Sequence, residues 1–248
     1  MFGKDIDEEI LAAAKLTDEE ICGYITDNTV VFCENISDNP KEEFRIAEVP
    51  DTAQAIFHSH PGGPFYPTKI DIQQQYVTAV PWAVACTSDR HNEVFWFGDG
   101  VPMAPLIGRG FRHYVTDCYA LIRDFYKHVH DIELMDQPRE WEWWNDGENL
   151  YEEGYREAGF TDIGLAELLP GDSFLATIRS KTPNHAGVYL GDGLILHHTC
   201  GKSGYDPFKL STVEPAARWL PYLTKVLRYE NSDIDRTVGQ KIWPQVRS

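Results

Sequence analysis

Two groups of residues have the types and spacing that hydrolytic chemistry needs. In the first, His58 and His60 stand two apart in the apolar run AIFHSH, so strand alternation puts both imidazoles on one face. Asp71 follows across the loop PGGPFYPTKID, near the start of a helix that opens at about Thr68. Two imidazoles and one carboxylate leave a fourth position on tetrahedral zinc for water, the arrangement of a catalytic rather than a structural site. Such a metal lowers the pKa of its water towards ~7 and polarises a carbonyl. A carboxylate outside the ligand set must then take the proton, and Glu20, just before ICGYIT, is the candidate. Without the surrounding pattern, the histidines would read as half-exposed strand residues and Asp71 as a helix-terminal carboxylate.

In the second group, Cys118 directly follows Asp117 at the mouth of the helix DCYALIRDFYKHV. A helix N-terminus favours the thiolate through its dipole and unpaired N–H groups. A thiol nucleophile needs a base, and the base needs an orienting partner. His185 begins the strand HAGVYLG, and the turn Gly191-Asp192-Gly193 brings LILHH back beside it. His197 then neighbours His185, and alternation sends only one of His197 and His198 inward, with spacing favouring His197. His91, His113, His128 and His130 lack a partner pattern and read as surface residues.

The first group resembles the JAMM (MPN+) metalloproteases: an upstream Glu, then His-x-His-Pro, then Ser-x-x-Asp with seven residues between the second His and the Ser. Here these are Glu20, His58-Ser59-His60-Pro61 and Thr68-Lys69-Ile70-Asp71. The resemblance implies a zinc ion held by His58, His60 and Asp71, with Thr68 at the position of the Ser that holds the oxyanion. The second group resembles the NlpC/P60 cysteine peptidases, through Asp117-Cys118-Tyr119, Gly171-Asp172, His185-Ala186-Gly187-Val188-Tyr189-Leu190-Gly191 and His197 twelve residues on. It implies Cys118 as nucleophile, His185 as base and His197 as third member. That family's aromatic oxyanion residue lies upstream of its Cys, where Tyr114 stands here. The two in this order are similar to the tail-tip assembly proteins of long-tailed, lambda-like phages. That implies phage tail-tip proteins as partners and peptidoglycan stem peptides as substrate, cut at a γ-D-glutamyl link to a diamino acid. The place implied is the host cytoplasm during assembly, with the virion tail tip as the later one. A docking factor with little catalysis and a cellular deubiquitinase-like isopeptidase are the alternatives, and the intact nucleophile and ligand residues favour chemistry.

These residues need elements to position them. A helix is expected over 5–15, strands over 21–26, 28–33, 55–60, 82–88 and 93–100, and a helix after Thr68. VPMAPLIGRG interrupts all periodicity and reads as a linker, dividing the chain into 1–104 and 105–248. Beyond it come the helix at 119–129, an acidic Trp-rich stretch at 139–160 that reads as helical cover, and strands at 173–178, 185–191 and 194–198. The class is α+β in two domains; the resemblances imply a JAMM/MPN-like α/β sandwich followed by a papain-like NlpC/P60 fold. A net charge of −17 argues against a nucleic-acid partner. No segment reaches the ~20 apolar residues of a membrane span. Five cysteines, an odd number without Cys-x-x-Cys spacing, suggest a reduced compartment, with Cys22, Cys33, Cys86 and Cys200 as packing residues.

Overall fold

A computed structural model describes residues 1–89, 91–199, 203–230, 234, 236, 237 and 242. The class is mixed α+β, in two compact units, Met1–Pro102 and Met103–Ser248.

The first unit runs α1 (Lys4–Ala14), β1 (Cys22–Thr26), β2 (Thr29–Cys33), β3 (Ala55–Pro61), α2 (Lys69–Thr78), β4 (Trp82–Thr87) and β5 (Glu93–Phe97). Its sheet has the order β2-β1-β3-β4-β5. Only β3 and β4 are parallel, which is why α2 must cross between them. Ile6, Ile10 and Ala14 of α1 pack on Ala55, Phe57, Ala83 and Ala85. Alternation therefore turns Ile56, His58 and His60 to the opposite face, in register with Trp82, Val84 and Cys86.

The second unit contains β6 (Gly110–Arg112), α3 (Cys118–His130), α4 (Leu150–Gly154), β7 (Phe160–Ile163), β8 (Ser173–Ala176), β9 (His185–Gly191), β10 (Leu194–His198), β11 (Tyr205–Pro215) and β12 (Leu223–Tyr229). The sheet order is β6-β11-β10-β9-β8-β12-β7. Leu121, Phe125 and Tyr126 of α3 pack on Ala186, Val188 and Leu196, while Phe174, Ile195 and Trp219 cover the other face. Tyr126 Oη donates to the Gly171 carbonyl at 2.7 Å, beside the start of β8. Ser173 of β8 pairs with Val188 and Ala176 with His185. A Cβ on Gly187 would meet the Leu196 carbonyl and the Phe174 ring, each at 2.7 Å, so only glycine lets β9 and β10 close at this point.

The structure differs from several of the expectations. The stretch 139–160 holds only a 3-10 turn at Trp143–Asn145 and the short α4, because Glu142 (φ 60°) and Gly147 (φ 88°) turn left-handed and interrupt any helix. His197 and His198 are both fully buried, since both faces of the sheet are covered. His113 is also buried: its Nε2 donates to the Arg139 carbonyl at 3.1 Å, and burial pushes its pKa down to about 4. Cys22, Cys33, Cys86 and Cys118 are unbridged thiols; Cys200 lies outside the described residues.

Candidate functional site

In the first unit, His58, His60 and Asp71 are all buried, and their ligand atoms lie within 4.8 Å of one another. His58 Nε2 is 3.0 Å from His60 Nε2 and 3.2 Å from Asp71 Oδ1; His60 Nε2 is 3.4 Å from Asp71 Oδ2. Bonds of ~2.0–2.2 Å at tetrahedral angles separate ligand atoms by about 3.3–3.5 Å, so the three donors fit one zinc ion. His60 Nδ1 donates to the Pro64 carbonyl at 2.8 Å, which leaves its Nε2 lone pair for a ligand. Phe44 stacks on the His58 ring at 4.5 Å and fixes its plane. Two interactions with one carboxylate place Asp71: Thr68 N donates to Oδ2 at 2.7 Å, and the Thr68 hydroxyl donates to the same oxygen at 2.7 Å. The hydroxyl expected to hold an oxyanion thus also orients Asp71. Glu20 is buried, and desolvation raises its carboxyl to about 7, with His60 opposing and Asp71 and Glu43 adding to the shift. Burial lowers the His58 pKa despite the Asp71 carboxylate.

In the second unit, Asp117 caps α3 by accepting from Ala120 N at 2.9 Å and also accepts from Tyr114 N at 2.7 Å. The buried Arg139 donates to it at 2.8 Å and 3.0 Å, fixing the loop that presents Cys118. Cys118 is buried, with its sulfur 3.2 Å from the Tyr151 hydroxyl. Ile122, Trp143, Tyr151 and Ala186 help to line an apolar cavity of about 70 Å³. On the sheet, His185 Nε2 is 3.2 Å from His197 Nδ1. The contact is diagonal, since His197 pairs with Gly187. His197 Nε2 in turn lies 2.6 Å from Glu214 Oε1. Burial, then His197 and His198, push the His185 pKa well below its ordinary value, so its ring is neutral. Trp219 stacks on His185 at 5.1 Å and meets His197 edge-on at 4.5 Å.

Over 157 residues, 63% of this chain and 75% of the relative, the sequence is 40% identical to the tail tip assembly protein K of Escherichia phage lambda. The chain belongs to the tail tip assembly protein K family. It is also 27% identical, over 93% of its length and 96% of the relative, to the tail tip assembly protein K of Escherichia phage N15. Within this K-family chain, residues 104–221 match the NlpC/P60 family. Similar solved structures include the NlpC/P60 domain of the peptidoglycan hydrolase SagA (TM-score 0.31, 16% identity, 49% of this chain and 89% of that one). A Bacillus cereus NlpC/P60 family protein is a second (TM-score 0.32, 11% identity, 90% of this chain and 67% of that one).

Four residues of the K-family chain that contact this second group escape sequence reasoning: Arg139, Tyr151, Glu214 and Trp219. Each is brought in from a segment without clear periodicity. For Glu214 and Trp219 the only available signal was a carboxylate and an indole five residues apart, which is too common to single them out. A phenol beside Cys118 belongs to Tyr151, 33 residues downstream of the thiol.

Proposed function

We propose that this chain is a tail-tip assembly protein with two hydrolytic centres, and that the second cuts peptidoglycan stem peptides at a γ-D-glutamyl link to a diamino acid. What supports this reading is a cysteine at the Asp-capped start of α3 in the same unit as a buried histidine pair, His185 and His197. Cys118 is the nucleophile, favoured as thiolate by the N-terminus of α3. His185, held neutral by burial, takes the thiol proton and later returns it to the leaving amine. His197 orients His185 through their 3.2 Å contact. Substrate entry displaces the Tyr151 ring, which covers the sulfur.

In the first unit, His58, His60 and Asp71 hold zinc, and the fold is that of the JAMM metalloproteases. When bound, the ion activates a water and polarises a peptide or isopeptide carbonyl. Glu20, with a carboxyl near pKa 7, is suited to accept and return a proton at neutral pH. Thr68 keeps Asp71 in place, and holding an oxyanion as well requires its hydroxyl to leave Asp71 Oδ2. The bond cut by this centre lies in a tail protein or in peptidoglycan.

The test is mass spectrometry of purified stem peptides incubated with wild type, Cys118→Ala and His58→Ala under reducing conditions. Cleavage by wild type and His58→Ala, abolished in Cys118→Ala, is expected. Cleavage that survives Cys118→Ala would remove the cysteine centre from this function.

A further inference from the structure

The histidine pair does not end at His197. Three adjacent strands contribute one group each on the same face: His185 from β9, His197 from β10 and Glu214 from β11. Glu214 pairs with Ile195, so it meets His197 diagonally, as His197 meets His185. We propose that Glu214 is a positioning residue that fixes the direction of every hydrogen bond in this line and so leaves His185 Nδ1 as the bare, proton-accepting nitrogen. The proposal rests on the reading of Cys118 and His185 as nucleophile and base.

The argument follows from proton count. An ionised carboxylate only accepts, so His197 Nε2 must donate to Glu214 Oε1 across their 2.6 Å contact. Neutral His197 then has a bare Nδ1, which accepts from His185 Nε2 at 3.2 Å. With its proton on Nε2, neutral His185 has a bare Nδ1. When that nitrogen takes the thiol proton, the negative charge two groups away stabilises the resulting imidazolium. The carboxylate is held for this role: Trp219 Nε1 donates to the same Oε1 at 2.7 Å, while its ring packs on both imidazoles. The other titratable or charged neighbours are Arg218, 3.5 Å from Glu214 Oε2 and 78% exposed, and His198, which acts on His185 through space. Arg218 is too solvated to neutralise the carboxylate.

The test uses the full chain and follows alkylation of Cys118 by iodoacetamide against pH, in wild type, Glu214→Gln, Glu214→Ala and His185→Ala. Glu214→Gln keeps the shape and an acceptor oxygen but loses the charge, so it guards against simple misfolding. Long-range ¹⁵N–¹H NMR of the histidine rings reports which nitrogens carry protons. Wild type is expected to be protonated on Nε2 of both His185 and His197. Glu214→Gln is expected to slow alkylation about tenfold near neutral pH and to move the profile by about one pH unit upward, with Glu214→Ala slower still. Wild-type and both Glu214 profiles that coincide, while His185→Ala is slowed, would overturn the role of Glu214 and leave the base standing. A profile unchanged by His185→Ala would remove the base and this proposal together. A wild-type His185 protonated on Nδ1 would also overturn it.

Discussion

Every imidazole nitrogen aimed at a shared point in the first unit belongs to a side chain that something else holds still. Phe44 fixes the plane of His58, the Pro64 carbonyl fixes His60, and Thr68 fixes Asp71. Purified protein is therefore expected to carry about one zinc per chain, measured by elemental mass spectrometry. The double variant His58→Ala, His60→Ala should lose that metal, and Glu20→Gln should keep it. Metal retained in full by the double variant would place it elsewhere. The three ligand candidates were legible in the sequence because strand alternation and a helix start are local rules. Phe44 was not, because stacking on a ring 14 positions away leaves no periodic trace.

Among the elements, α3 depends on a buried ion pair at its head. Burial alone would raise the Asp117 carboxyl, yet the Arg139 charge, His113 and the Ala120 N–H bring it well below the usual carboxylate range. A depressed folded pKa contributes stability that is fully present above the unfolded value of ~3.9 and is lost as pH falls towards the folded one. Asp117→Asn should therefore cost about 3–5 kcal/mol at pH 7, since it strands the Arg139 charge in the interior. The gap between variant and wild-type urea midpoints should narrow as pH drops below about 4. A gap independent of pH would assign the cost to packing instead. The helix itself was legible from its apolar spacing and Asp cap; Arg139 was not, because the pair spans 22 residues. Strand β11 was missed for a different reason. Pro207 and a register shift between Asp206 and Leu210 break its alternation, and most of its first half is exposed.

On the scale of the whole molecule, each unit has its own sheet and its own apolar cluster. Fragments 1–102 and 103–248 are expected to fold separately, judged by circular dichroism and cooperative urea unfolding. The first should bind zinc, and the second should retain rapid alkylation of Cys118. Two unfolded fragments beside a folded full chain would mean a shared core and a single composite site. Among the described residues, no helix is long and apolar enough to cross a membrane.

Trp219 lies against both His185 and His197 and is only partly buried. An indole emits light, and a protonated imidazole in van der Waals contact quenches that emission. The protein therefore carries a built-in optical gauge of the charge on its histidine pair. Subtracting the spectrum of a Trp219→Phe variant isolates that signal from the other six tryptophans. Proton movement can then be followed in real time, without a label and before any bond is cut.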